Sequence, residues 1–393
     1  LLVFAVFNRR ISFSAVLGRL AFFSAICIAP ILFISLYELL SLYFIGEYSH
    51  AMTYDFRFTF GHRNQFSQFI VLLVPIIATG IFYTTNLGKK VFLYSIIFLI
   101  YATAILLQSR AVSIVLVFIY PLITGIVFLF NGQKKIFKYT KFFLGTIFLL
   151  GFVVLISVPT KKIPYVNKLV EVSYGSGNER VRLWSNSLEL FKENPILGKG
   201  SGDWKIEILK TPLEHTQAEN SLVFYSRAHN DFIQILVENG VVGLLLYLLF
   251  LIIGIIQLFR SSIDPIVKSI LFSGVLAYLV FSCFSFPIEK VEHLFLLFLF
   301  FSPGLITSKQ SKKTVNSIFF VLALVTLFFS VIWIKEEKKY TDSMRTSNLE
   351  IIKNMDKSFY TIDPTTLPLQ WYIANDYFYK GDFENAIASY KRS

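Results

Sequence analysis

A histidine lies at the polar entrance to one of the longest apolar segments of the chain. Residues 226–234 read Ser-Arg-Ala-His-Asn-Asp-Phe-Ile-Gln and lead directly into a hydrophobic stretch. Asp231 or Asn230 can serve as the N-cap of a helix here, and Gln234 has capping-box spacing from Asp231. His229 would then lie at the positive end of that helix, which favours a neutral imidazole and attracts an anion such as a pyrophosphate. A lone histidine at a helix start can also be a cap or a surface residue, and this alternative stays open here.

Four arginines are candidates for holding such an anion. The loop 159–231 carries ten basic and nine acidic residues, so particular side chains, rather than its bulk charge, must attract an anion. The candidates are Arg110, Arg180, Arg182 and Arg227. Arg110 follows Gln-Ser in a very tight connection between two apolar segments, where a guanidinium either grips phosphate bidentately or extends to lipid headgroups. The residues alone do not separate these two roles.

The composition places these residues in a membrane protein. Of the 393 residues, 55% are hydrophobic and only 16% are charged, whereas soluble domains carry about 25% charged residues. Disordered, collagen-like and ordinary cytosolic chains are therefore poor fits. Nine apolar segments, most of them near the ~20 residues that cross a bilayer, predict an all-α, polytopic transmembrane protein. They are 12–45, 65–84, 91–108, 111–130, 142–158, 232–259, 269–286, 293–307 and 315–334.

The net charge of +12 comes from short loops on one side of the predicted bundle. Five alternate loops contain thirteen basic residues and one acid, Asp264, so the remainder of the chain is neutral. By the positive-inside rule these loops are cytoplasmic, and residues 46–64, 159–231 and 335–393 lie on the far side of the membrane. The basic residues are Arg9, Arg10, Lys89, Lys90, Lys134, Lys135, Lys138, Lys141, Arg260, Lys268, Lys309, Lys312 and Lys313. Orientation explains this charge, and we expect no nucleic-acid partner.

Two domains are predicted. Residues 1–334 form the membrane domain, with about nine complete spans, a truncated span at the N-terminus and the loop 159–231. Residues 335–393 form a solvated tail with tetratricopeptide-like spacing, although an ordinary pair of amphipathic helices is an alternative. The residues with this spacing are Ile373, Ala374, Tyr377, Gly381, Asp382, Ala386 and Tyr390. Both ends of the chain interrupt a pattern, so we expect a fragment whose intact form carries further repeats.

Neither a metal nor a cofactor is predicted. Cys27 and Cys283 lie in apolar runs, where a thiol usually acts as a small hydrophobe. The other histidines lack metal-binding spacing; they are His50, His62, His215 and His293.

Several motifs, in this order, resemble those of the bacterial O-antigen ligase and polymerase family. Residues 177–184 read Gly-Asn-Glu-Arg-Val-Arg-Leu-Trp, and residues 193–200 read Glu-Asn-Pro-Ile-Leu-Gly-Lys-Gly. Ala-His-Asn-Asp at 228–231 and Glu-Asn-Gly at 238–240 follow. Earlier pieces agree, namely Phe-Gly-His-Arg-Asn-Gln at 60–65 and Ser-Arg at 109–110. The resemblance covers roughly residues 55–305, and relatives also carry a tetratricopeptide tail outside the cytoplasm.

The resemblance implies a metal-independent, inverting glycosyltransferase of the bacterial inner membrane whose active site faces the periplasm. Its donor would be a glycan on undecaprenyl pyrophosphate. His229 resembles the base that deprotonates the acceptor hydroxyl, and Arg110 and Arg180 resemble arginines that hold the pyrophosphate. Arg182 is the alternative to Arg180, and Arg227 is a further phosphate contact. Secondary candidates are His62, Arg63, Asn64 and Asn230.

The acceptor stays open at this stage. Transfer to the lipid A core would define a ligase, transfer to another repeat unit a polymerase, and transfer to Ser or Thr of an exported protein an oligosaccharyltransferase. A tail that binds a protein partner would favour the last of these. Two other classes, a non-enzymatic assembly scaffold and a transporter of lipid-linked glycans, are alternatives. A transporter should place charged residues at the bilayer midplane, where these segments have few.

Overall fold

The computed structural model describes residues 13–45, 62–107, 109–131, 176–213, 225–307, 331–332, 335–336, 338–343, 346, 348–355 and 369–391. Within these residues the chain is helical and contains no strand, as predicted for an all-α protein. The chain divides into two compact units, Leu1–Ser308 and Lys309–Ser393.

The first unit consists of apolar helices and a helical insertion. Its helices are α1 (Phe13–Ile45), α2 (Arg63–Tyr83), α3 (Leu87–Leu106), α4 (Arg110–Ile114), α5 (Tyr120–Asn131), α6 (Ser176–Glu193), α7 (Trp204–Glu207), α8 (Asp231–Arg260), α9 (Pro265–Phe284) and α10 (Val291–Thr307). A π-helix, Val115–Ile119, joins α4 to α5, and 3₁₀ turns occupy Ile208–Lys210 and Pro287–Glu289. The helices pack in a bundle in which α2 contacts α1, α3 and α9, and α8 contacts α10.

The described part of the chain confirms a polytopic membrane protein. Five of its helices are long and apolar enough to cross a bilayer, and the helices over Arg110–Gly125 and Val291–Gly304 are apolar but shorter. They correspond to seven of the nine predicted segments, and the helix ends lie within about four residues of the predicted ones. The predicted segment 142–158 and nearly all of 315–334 lie outside the described residues.

Very short connections fix the direction of the first helices. Residues 84–86 join α2 to α3, and residues 107–109 join α3 to α4. Since α2 and α3 have 21 and 20 residues, each extends about 30 Å. The start of α2 at Arg63 and the start of α4 at Arg110 therefore lie at one end of the bundle, and the α2–α3 turn lies at the other.

A glycine breaks α8 into two segments. Gly240 has φ 65° and ψ −167°, a conformation that only glycine adopts without strain. In a regular helix Val241 and Val242 would donate to the carbonyls of residues 237 and 238. At this break the backbone of residues 195–200 forms hydrogen bonds with all four groups, namely the amides of Val241 and Val242 and the carbonyls of Val237 and Glu238. Lys199 and Gly200 donate to the Val237 and Glu238 carbonyls at 2.9 Å each, and Val241 and Val242 donate to the Pro195 and Ile196 carbonyls at 2.9 and 3.3 Å.

This exchange of hydrogen bonds attaches the helical insertion to the bundle. An added Cβ at Gly240 would lie 2.2 Å from the Ile196 oxygen, so the two backbones approach each other more closely than any side chain allows. The break leaves about 20 residues after Gly240 as the apolar part of α8, which is enough to span a bilayer. The residues before it, Asp231 to Asn239, form a separate helical segment of mixed polar and apolar side chains that precedes the span.

The second unit contains α11 (Glu350–Lys353), α12 (Leu369–Tyr379) and α13 (Phe383–Tyr390). The last two form a helix pair, with Gly381 at φ 79° in the turn and the Asp382 side chain accepting from the Asn385 amide at 3.2 Å. The small buried core of this unit consists of Ile352, Met355, Leu369 and Ile373. The predicted turn is therefore present, while the tetratricopeptide assignment and the predicted domain boundary at residue 334 stay predictions.

Candidate functional site

The insertion forms a small core directly beside the start of α8. Its buried apolar side chains come from α6, α7, the 3₁₀ turn and both sides of residue 229; they are Leu183, Leu190, Trp204, Ile208, Ala228 and Val237. Trp184 Nε1 donates to the Ala228 carbonyl at 2.8 Å, and Trp204 Nε1 donates to Ser187 Oγ at 2.9 Å. Because Ala228 is fully buried and hydrogen-bonded, the neighbouring His229 is held in a fixed position.

His229 adopts an unusual backbone conformation. Its φ of 53° lies in the left-handed region, and among the described residues it is the one position other than glycine with a positive φ. Such strain persists where the surroundings determine the conformation, and it often marks a functional site. The imidazole packs edge-on against the Phe286 ring, with 5.4 Å between the ring centroids.

The imidazole of His229 is neutral. Burial is the main cause and, together with the electrostatic influence of Arg180, His62 and Arg227, it lowers the pKa to about 3 from an ordinary value of 6.5. The sequence prediction attributed neutrality to the helix N-terminus, whereas here desolvation and neighbouring cations are the causes. A neutral imidazole next to two guanidinium groups can accept a proton while an anion binds beside it.

Asn230 is the N-cap of α8. Its Oδ1 accepts from the Ile233 amide at 3.1 Å. Asp231 is buried instead, and its carboxylate accepts from the Ile288 amide at 3.2 Å, which ties the start of α8 to the turn after α9. Gln234 does not close the expected capping box, because its Oε1 accepts from the Ala228 amide at 3.2 Å. Side chains at the start of α8 therefore hold the backbone on both sides of His229, Gln234 before it and Asn230 after it.

Arg180 and Arg227 are both held in defined orientations. Arg180 Nη1 donates to the Phe284 carbonyl at 3.0 Å, at the C-terminal end of α9. Arg227 Nε pairs with the Glu289 carboxylate, and its Nη1 donates to the Ser226 carbonyl at 2.5 Å. Both guanidinium groups thus lie near His229 at one end of the bundle. Arg180 comes from α6, and Arg227 comes from the segment just before α8.

The other predicted residues have different positions. His62 is the N-cap of α2, and its Nδ1 accepts from the Asn64 amide at 3.0 Å. Arg63 is almost fully buried, with 3% of its surface exposed. Arg182 lies on the exposed side of α6, two residues from Arg180. Arg110 is exposed at the start of α4, at the same end of the bundle as His62. The structure thus brings His62, Arg180 and Arg227 together around His229.

Sequence reasoning missed the turn between α9 and α10. Glu289 in this turn binds Arg227 and also accepts from Gln234 Nε2 at 3.1 Å. Lys290 lies with its Nζ 5.1 Å from the centre of the Phe286 ring, the ring that packs on His229. Burial lowers the pKa of Lys290, which is an additional cation of the site. The sequence did contain a pattern that could have indicated this turn. An acidic and a basic residue, at 289 and 290, stand side by side between two apolar segments.

No group of three or more His, Cys, Asp or Glu residues in the described ranges is arranged to hold a metal ion. The basic side chains, in contrast, are arranged around one uncharged imidazole.

The fold and the site together define a class of protein. It is a multi-pass helical membrane protein with a cationic site, centred on a histidine, at one end of its helix bundle. The family model described as O-antigen ligase matches residues 93–248. The resemblance to this family is therefore confirmed, and the matched region contains Arg110, Arg180, Arg227 and His229. No curated protein sequence matches the chain. The family match supports a membrane protein of the glycan-transferring ligase or polymerase kind.

Proposed function

We propose that the chain transfers a glycan from undecaprenyl pyrophosphate to an acceptor hydroxyl. If the chain acts as a ligase, this hydroxyl belongs to the lipid A core. The observation that carries the proposal is a neutral, partly buried His229 with Arg180 and Arg227 beside it. A base and an anion-binding group within one site are what this reaction requires. The family match over residues 93–248 supports the same reaction class.

The chemistry follows from these groups. The acceptor oxygen attacks the anomeric carbon of the sugar as the bond from that carbon to the pyrophosphate oxygen breaks. His229 takes the hydroxyl proton, and the leaving pyrophosphate keeps the electron pair. Arg180 and Arg227 stabilise the charge that develops on its oxygens. A single displacement of this kind inverts the configuration at the anomeric carbon.

Binding of the donor also changes the base. The positive groups near His229 help to hold its pKa near 3, so the free protein carries a weak base. A bound pyrophosphate offsets that positive potential and favours the protonated imidazole. Donor binding therefore strengthens the base when the acceptor hydroxyl needs it, and Arg180 and Arg227 take part in both steps.

The orientation of the membrane domain is part of the proposal. We infer that the end of the bundle bearing His229 faces the periplasm, because the basic residues Lys89 and Lys90 lie at the opposite end. In a variant without Cys27 and Cys283, a membrane-impermeant maleimide should label Ser201→Cys in intact spheroplasts. Leu87→Cys should react only after permeabilisation. Labelling with the reverse pattern would overturn the orientation.

The decisive experiment uses a strain from which the gene for this protein has been deleted. Glycan products are compared after the strain is complemented with either the wild-type protein or His229→Asn. Asparagine tolerates the left-handed backbone of position 229 but is not a base. Loss of a general base lowers rates about 10²–10⁴-fold. Mass spectrometry of glycans on lipid A, on polysaccharide and on exported proteins also identifies the acceptor. Unchanged products with His229→Asn would favour an assembly scaffold or a transporter.

A further inference from the structure

A second candidate site lies between α1, α2 and the start of α3. It is a cavity of about 550 Å³. Its lining includes two cationic side chains, two phenylalanines and two glycines; they are Arg19, Lys89, Phe22, Phe23, Gly18 and Gly80. This cavity shares no residue with the site around His229.

The cavity lies at the end of the bundle opposite to His229. Tyr83 and Thr84, which line it, end α2, whereas His62 at the start of α2 acts electrostatically on His229. The length of α2 separates these two ends by about 30 Å. The turn that follows α8 is also near, since Asp264 interacts electrostatically with Tyr83. The cavity therefore opens at the other membrane surface, where Lys89, Lys90 and the turn after α8 lie.

Both cations are available to a ligand. Neither Arg19 nor Lys89 forms an ion pair with another residue in the part of the chain that the structure describes. Lys89 Nζ lies 5.5 Å from the centre of the Phe22 ring, which positions it at the cavity wall. Lys89 also lies in the first turn of α3, where the helix dipole disfavours a cation. Helix stability thus does not account for its position, whereas the positive-inside rule accounts for a cation at this membrane surface and leaves it able to bind a headgroup.

The outer wall of the cavity is apolar and open to the surroundings. Phe23 exposes 65% and Ile26 49% of their surface, on the face of α1 that a bilayer would cover. Asp264, the nearby acid, caps α9 through the Ile266 amide at 2.8 Å and does not line the cavity. Cations at the membrane surface above an exposed apolar wall match a molecule with a phosphate headgroup and acyl chains.

We propose that this cavity binds an anionic phospholipid, such as phosphatidylglycerol or cardiolipin, from the leaflet opposite to the reaction site. Arg19 and Lys89 hold the headgroup phosphate, Phe22 and Lys89 form one wall, and the acyl chains lie along Phe23 and Ile26. The inference does not depend on the proposed glycan transfer, because it uses none of the same residues.

The test measures lipid binding to the purified full chain by native mass spectrometry. Protein in nanodiscs of mixed phosphatidylglycerol and phosphatidylcholine should retain phosphatidylglycerol selectively. Arg19→Ala with Lys89→Ala should lower this retention by roughly tenfold or more. Gly18→Leu should lower it as well while keeping both charges, because a Cβ at Gly18 meets only Tyr83 Cβ at 3.7 Å and the longer side chain fills the cavity.

A matched control removes the same charge elsewhere. Lys90→Ala with Arg260→Ala deletes two basic residues at the same membrane surface that do not line the cavity. Retention within twofold of the wild type in this control supports a specific site, and an equal loss would reduce the effect to bulk charge and overturn it. Equal retention of phosphatidylcholine would also overturn it. Displacement of the lipid by millimolar inorganic phosphate would show a small-anion site instead of a lipid site.

Discussion

The Arg180 guanidinium donates a hydrogen bond of 3.0 Å to the Phe284 carbonyl, although 104 residues separate them in sequence. Phe284 ends α9, and the last carbonyls of a helix lack intrahelical donors and carry partial negative charge. A cation is favourable there. The same contact docks α6 on the membrane bundle and keeps the Arg180 charge close to His229.

Replacing Arg180 should therefore affect both donor affinity and docking. Arg180→Ala should weaken binding of a lipid-linked pyrophosphate about 10–100-fold, the range for a lost hydrogen bond to a charged group. Arg180→Lys should recover part of the affinity through its charge but not the bidentate geometry. Binding to the purified protein in detergent is the measurement. Arg182→Ala tests the other arginine of the motif and should have the smaller effect.

Lys192→Ala is the matched control for Arg180, because Lys192 lies exposed on the same helix and forms an ion pair with Glu189, three residues away on that helix. If this control weakened donor binding as much as Arg180→Ala, net charge and not position would explain the effect.

The Arg227–Glu289 pair should behave as one unit. We expect Arg227→Ala and Glu289→Ala each to lower transfer activity, and the double variant to lose less than their sum. The reason is that each single variant leaves one charge of a partly buried pair uncompensated. Kinetics of the four proteins give a coupling energy, for which about 0.5–3 kcal/mol is typical of residues in contact. Strict additivity would show that Glu289 does not orient Arg227.

Stability should fall in acid because of His229. Its pKa is about 3 in the folded protein and about 6.5 when unfolded, so between these values only the unfolded chain is protonated. The contribution of His229 to the free energy of unfolding therefore decreases as pH falls from 6.5 towards 3. Buried Asp231, whose pKa burial raises to about 8, contributes in the opposite direction. In His229→Asn the His229 contribution is absent, so the Tm at pH 4 relative to the Tm at pH 7 should be higher in this variant than in the wild type. Equal pH dependence of both proteins in detergent would contradict the buried neutral imidazole.

The break in α8 makes Gly240 sensitive to any side chain. Gly240→Ala should cost about 1–3 kcal/mol from the backbone conformation alone, and more from the clash with the Ile196 carbonyl. Tm in detergent should fall, and transfer activity with it. Gly202 has φ 87°, and a Cβ added there would meet open space. Gly202→Ala is therefore a control that measures the conformational cost without a clash.

Gly125→Ala is the control for glycine replacement within a helix. An added Cβ there meets nothing within 4 Å, and the backbone is helical, so stability should be unchanged or slightly higher. If Gly240→Ala were equally harmless, the interlocked hydrogen bonds of α8 and residues 195–200 would not be important for the fold.

Hydropathy predicted the spans well, because their burial in lipid depends on local composition. The start of α8 at Asp231 and the start of α2 at Arg63 lie within two residues of the predicted segments. The approach of Arg180 and His62 to His229 was anticipated only through a family resemblance, since periodicity says nothing about contacts over such separations.

Other features depended on partners that no local pattern reveals. The role of Glu289 follows from Arg227, which lies 62 residues away in sequence. The role of Gln234 was predicted from capping-box spacing, but the Ala228 amide and Glu289 are its actual partners. The Glu-Asn-Gly motif at 238–240 was recognised as a motif, yet its glycine could not be assigned a physical purpose without residues 195–200.

The interlocked backbone at Gly240 also links two parts of the chain that fold in different surroundings. The four groups released by the bend in α8 find partners only in residues 195–200, which are synthesised earlier. Without residues 195–200, α8 would be either straight or bent with unsatisfied amides and carbonyls, which is costly wherever water cannot reach them. The bend, and with it the placement of His229, therefore depends on residues 195–200 being in position, which couples the geometry of the candidate site to the folding of the insertion.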